Sequence, residues 1–106
     1  MPILEKEVLL PEQELRELEK ILVRTLPKSF ENESITSTGI KDGQVIKGIG
    51  VIFRQNGFYF EAYGRAEGNS TNYHARIIVN LPVDLQEVAF AQLSLSSPAV
   101  YSILKN

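Results

Sequence analysis

The sequence predicts an α+β fold: an N-terminal helix, an antiparallel sheet of three or four strands in a meander, and one or two C-terminal helices packed on one face of the sheet. Three observations predict it. Residues 12–26 place leucines at helical spacing, residues 34–81 alternate with period two and are rich in β-branched and aromatic side chains, and residues 84–104 return to helical spacing. At 106 residues, with 43% hydrophobic and 23% charged residues, the chain has the size and balance of one domain spanning 1–106.

The first helix is read from Pro11 and EQELRELEKILVRTL. Proline suits a first turn, Glu12 and Glu14 favour the positive end of the helix dipole, and Lys20 and Arg24 favour the negative end. Leu15, Leu18, Leu22 and Leu26, with Ile21 beside them, make one apolar stripe, and Pro27 stops the helix.

Two turn signals divide the alternating region, Asp42-Gly43 and Asn56-Gly57. Taking Asn56 and Gly57 as a two-residue loop pairs Arg54 with Tyr59, Phe53 with Phe60, Val51 with Ala62 and Gly50 with Tyr63. Ile49, Val51, Phe53, Phe60 and Ala62 then share the core side. Ile52, Arg54, Tyr59, Glu61, Tyr63 and Arg65 share the other side, over a floor of Gly48 and Gly50. The Asp42-Gly43 turn has two readings that place Ile35 on opposite faces; the bulged one, which pairs Ile35 with Ile49, is preferred. A further strand, TNYHARIIVNL, puts Tyr73, Ala75, Ile77, Val79 and Leu81 inward and brings His74 and Arg76 to the tyrosine and arginine face.

Beyond the sheet, Asp84 and Glu87 have the spacing of a capping box for a short helix to about Leu93. Ser97 and Pro98 open another as cap and first-turn proline, presenting Val100, Ile103 and Leu104.

The chemistry these residues exclude is broader than the chemistry they suggest. There is no cysteine, so thiolate catalysis, disulfides and cysteine-held metals are ruled out. The glycines of KDGQVIKGIG lie inside a strand instead of between a strand and a helix, so they do not form a phosphate loop; they leave room for Tyr63 and Arg65. The single histidine, His74, has only Glu61 or Glu67 as a carboxylate neighbour, and no metal-ligand spacing is present. No enzyme activity, cofactor or metal is expected.

Residues 56–63, NGFYFEAY, partly resemble the RNA-binding octapeptide of RNA-recognition domains: Gly57, Phe58, Phe60 and Tyr63 fit, whereas Asn56, Tyr59 and Glu61 depart. That fold needs a helix between its third and fourth strands, and AEGNSTNY is too short and polar to supply it. The register also turns Phe58 and Phe60 toward the core. The resemblance therefore carries no functional implication.

Net charge is -2, with residues 34–80 mildly basic between two acidic flanks. The opening MPILEKEVLLPEQEL lacks the apolar run of a secretory signal, and no window approaches the roughly 20 apolar residues of a membrane span. A cytoplasmic protein with no membrane partner is expected. The candidate binding face is Arg54, Tyr59, Glu61, Tyr63, Arg65, His74 and Arg76, because tyrosine and arginine favour interface centres. The leading expectation is a small non-enzymatic protein-interaction or regulatory module, a homodimer through the outer face or edge of its sheet or a module for another protein. The alternative is binding of single-stranded nucleic acid or a small anionic ligand on the same face.

Overall fold

The chain enters the sheet before its first helix. The computed structural model describes residues 3–106, in the order β1 (Leu4–Pro11), α1 (Glu12–Thr25), β2 (Glu31–Lys41), β3 (Gln44–Gln55), β4 (Phe58–Glu67), β5 (Asn72–Asn80), α2 (Val83–Ser96) and α3 (Pro98–Lys105). The α+β class is as expected, with helices on one face, but the sheet has five strands in the order β1-β5-β4-β3-β2. Every pairing is antiparallel.

Strand β1 corrects the expectation that a helix comes first. Its alternation is real, with Leu4, Val8 and Leu10 toward the core, but Lys6 occupies a core-facing position between them and makes LEKE read as polar. Lys6 stays satisfied because its ammonium donates to the Asn106 carbonyl, at the end of α3. A cation suits that end of a helix. Strand β1 docks along β5, with Leu10 beside Tyr73 and Val8 beside Ala75.

Helix α1 then crosses the sheet from its β1 edge to its β2 edge. The stripe Leu15, Leu18, Ile21 and Leu22 is buried, as is Leu26 beyond it. Pro11 closes β1 in extended conformation and stands at the helix N-cap, outside the first turn. A Cβ on Gly64 would come within 2.6 Å of a Leu15 methyl and 3.1 Å of the Tyr73 Cβ, so the missing side chain at Gly64 is what lets the helix settle on β4. Two polar contacts pin the helix further. The Tyr73 hydroxyl donates to the Glu12 carboxylate at 2.9 Å, and Ser97, buried between α2 and α3, donates to Glu14 at 2.8 Å.

The Asn56-Gly57 hairpin has the predicted register throughout, from Gln55 opposite Phe58 to Ile49 opposite Gly64. Val51, Phe53, Phe60 and Ala62 are buried, and Tyr73, Ala75, Ile77 and Val79 extend the same floor on β5. Phe58 lies on that side too, at the end of the strand, where it remains partly exposed.

The Asp42-Gly43 hairpin corrects the preferred bulge. Asp42 and Gly43 have φ of 53° and 79°, nearly the values of Asn56 and Gly57 at 47° and 85°, so both loops are two-residue type I′ turns. Ile35 therefore faces Gly50, and Thr36 faces Ile49.

The capping box at Asp84 is also corrected. Helix α2 starts at Val83 with Pro82 at the N-cap, and Asp84 sits inside the first turn without a capping bond. Pro98 does open α3, whose Val100 and Leu104 join the core of their own chain. Ser97 occupies the cap position but spends its hydroxyl on Glu14.

Candidate functional site

With the helices on one side, the opposite sheet face is a grid whose rows can be read from the pairing registers. Nearest the Asn56-Gly57 turn, Glu31, Arg54, Tyr59 and Asn80 line up across β2 to β5. Glu33, Ile52, Glu61, Ile78 and Glu5 form the next row, reaching β1. Ile35, Gly50, Tyr63, Arg76 and Glu7 form the third, and Ser37, Gly48, Arg65, His74 and Leu9 the fourth.

All seven candidate residues thus share one face, as period two and the Asn-Gly turn require. The structure divides them, however. The third and fourth rows line an open concavity of about 1160 Å³ that takes in Tyr63, Arg65, His74 and Arg76, with Glu7 and Leu9 on one wall and Ile35 and Ser37 on the other. Arg54, Tyr59 and Glu61 lie outside it, toward the turn.

The glycines shape the floor, and Gly50 acts as expected: a Cβ there would meet the Tyr63 ring at 3.1 Å. Gly48 makes room for a different neighbour, since its Cβ would lie 2.6 Å from the Ser37 hydroxyl, not against Arg65.

Tyr63 lies across this floor and donates to the Glu61 carboxylate at 2.5 Å. Partial burial, then that hydrogen bond and the charge of Glu61, push the Tyr63 hydroxyl up to about 12, with Glu33 adding to the effect and Arg54 opposing it. Ile52, between Glu33 and Glu61, is 6% exposed although it lies outside the main core cluster. It is covered within the chain itself and needs no external partner to leave water.

The charges are unevenly paired. Arg76 meets Glu7 across β1 at 3.1 Å in a solvent-exposed pair. Arg65 and His74 stand directly opposite one another, and neither has a hydrogen-bonded or ion-paired partner among the described residues. Glu61, the carboxylate proposed as a neighbour of His74, is engaged by Tyr63 and opposes Ile78. No group of three or more His, Asp or Glu side chains among the described residues is arranged to hold a metal ion. No helix among them is long and apolar enough to cross a membrane.

Sequence reasoning missed both walls of the concavity. Glu7 and Leu9 were hidden because Lys6 obscures β1; Ile35 was placed on the wrong face because the bulge shifts the register by one residue. The second conspicuous feature, also unpredicted, is β2 itself. All eleven of its residues are exposed, and Ile40 beside the turn is 78% exposed. Among the described residues, its one side-chain hydrogen bond to the helical layer runs from Ser34 to Glu19. No protein-family model matches the chain at a significant level, and neither does a curated protein or a solved structure.

Proposed function

We propose that this chain is a small non-enzymatic interaction or regulatory module that associates with a second copy of itself through the β2 edge of its sheet. The observation that carries this reading is β2. An edge strand in a protein that stays monomeric is ordinarily short, kinked, proline-bearing or charged along its length, because its unpaired amides and carbonyls otherwise recruit another strand. Here the edge strand is eleven residues long, and Ile35 to Ile40, ITSTGI, carry no charge and no proline. Strand addition is a common recognition mode for such an edge.

Between the two surfaces expected from the sequence, the edge is favoured over the face. The face is concave, and Ile52 on it is already covered; two concave faces do not pack well on one another. A cytoplasmic setting is part of this reading, supported by the absence of cysteine.

The test is solution mass at two protein concentrations for the wild type and for Thr36→Pro. Thr36 presents its amide to the free edge, so proline removes a donor needed only by an incoming strand. The wild type is expected to dimerise with concentration and the variant to remain monomeric while keeping its thermal transition. A wild type that stays monomeric throughout, or a variant that dimerises as well, would mean the edge is not the interface.

One observation supports a second reading. Arg65, with no ion-pair partner among the described residues and the His74 ring directly opposite it, suits a phosphate or carboxylate entering the concavity, from a small ligand or from single-stranded nucleic acid. Such binding is expected to fall steeply with salt and to be lost in Arg65→Glu.

A further inference from the structure

We infer that the second copy pairs antiparallel along β2 in one register, with Thr36 on the two-fold axis, so that Glu31 of each copy stands opposite Lys41 of the other. This rests on the self-association proposed above and adds to it the geometry of the contact.

Only alternate residues of β2 offer their backbone groups to the free edge. The Val45 carbonyl accepts from the Gly68 amide at 2.8 Å, so the backbone polar groups of Val45 point toward β4 and away from β2. Its partner Ile40 is therefore in a non-hydrogen-bonded pair, and the Ile40 groups point away from β3. Alternation along the strand then places the amides and carbonyls of Asn32, Ser34, Thr36, Thr38 and Ile40 on the free edge, and those of the odd-numbered residues within the hairpin.

A second β2 can use these groups only if even-numbered residues oppose even-numbered residues. With Thr36 on the axis, Asn32 opposes Ile40, Ser34 opposes Thr38, and Thr36 opposes itself, so every outward-pointing amide and carbonyl on both strands is paired. Sliding by two residues in either direction pushes one strand end past the other and leaves part of each edge unsatisfied.

Charge argues against one of the two slides. Glu31 and Lys41 are the terminal residues of β2, and neither has an ion-pair partner among the described residues. With Thr36 on the axis they meet twice, once at each end, in non-hydrogen-bonded pairs, where opposing side chains come closest. Glu33 then faces Gly39, with no like-charge contact. Sliding so that Ile35 lies on the axis leaves Glu31 and Glu33 opposite Gly39 and Ser37, without a cation; sliding so that Ser37 lies on the axis sets Lys41 opposite Glu33 instead, but carries Glu31 and Asn32 past the end of the opposing strand, so there the loss of backbone pairing decides.

The pairing also changes the site. Ile35 and Ser37 wall the concavity on its β2 side, and in the dimer Ile35 of one copy lies opposite Ser37 of the other. The two concavities become one trough across a continuous ten-stranded sheet, with each copy completing the wall of the other's groove.

The native chain has no cysteine, which makes single-cysteine scanning clean. In this register the Thr36 Cα atoms of the two copies are about 5.5 Å apart, inside the range a disulfide spans. The two Ser37 Cα atoms, like the two Ile35 Cα atoms, are offset along the strands to roughly 8 Å, beyond that range. Thr36→Cys is therefore expected to form a covalent dimer under mild oxidation, with little from Ile35→Cys or Ser37→Cys. Glu31→Lys and Lys41→Glu are each expected to weaken dimerisation by about 2- to 30-fold, and the double exchange to restore it. Preferential crosslinking at residue 35 or 37, a dimer that crosslinks at none of the three, or a dimer indifferent to the charge exchanges overturns the register while leaving self-association standing. A monomer in every sample overturns both.

Discussion

Two hairpins share β3 and the same type of turn, yet they differ in almost every other respect. The Asn56-Gly57 hairpin is roofed by helices, with Val51, Phe53, Phe60 and Ala62 in the core. The Asp42-Gly43 hairpin runs past the helices, and its outer strand buries no residue. Local backbone chemistry can build both, but only the first is held by burial. The contrast locates where this molecule keeps its stability and where it leaves a surface open.

Removing side chains from each hairpin tests this contrast most severely. Phe60 is fully buried, and Phe60→Ala is expected to cost about 3–5 kcal/mol, whereas Ile40→Ala should stay within about 0.5 kcal/mol. Denaturant unfolding of the monomer checks both values. A large effect at Ile40 would show that the outer strand is covered after all.

Smaller effects are expected at the turns. Gly57 and Gly43 both have positive φ, with open space where a methyl group would sit, so an alanine at either is strained by conformation alone, at about 1–2 kcal/mol. Gly57→Ala should lower global stability by that amount. Gly43→Ala should instead appear mainly as faster amide hydrogen exchange in β2 and the facing half of β3, because that hairpin can open without unfolding the core.

The smallest effect is on pH dependence. Tyr63 ionises at about 12 in the folded chain, against about 10 when unfolded. The contribution of its neutral form is fully present below pH of about 10 and is lost as pH rises through about 12, because the unfolded chain releases the proton first. Tyr63→Phe should flatten that alkaline slope, read by the ultraviolet absorbance of tyrosinate together with thermal stability against pH.

The contrast between the hairpins also explains what was legible in the sequence. The β3–β4 register could be read residue by residue, since Phe and Val alternate against Phe and Ala and a one-residue slip would expose them all. The β2–β3 register could not be read in that way, because β2 has no buried face to punish a slip. Strand β1 was hidden by one lysine, whose partner, the carbonyl of Asn106, lies at the other end of the chain. The seven residues of the candidate face were found together because period two needs no tertiary information, whereas its division into a concavity and a separate turn-side group needed the curvature of five strands.

Local sequence was enough to set the helical stripe of α1, the Asn56-Gly57 turn, the two faces of β3, β4 and β5, and the helices at the end of the chain. Each follows from local conformational preference or from a hydrophobic period along the chain. Tertiary packing alone settled that β1 joins the far edge beside β5, that Gly64 admits Leu15, that Ile52 is covered on the outer face, and that β2 is left bare. Those outcomes depend on which surfaces meet across long stretches of chain, and no pattern within a single segment carries that information.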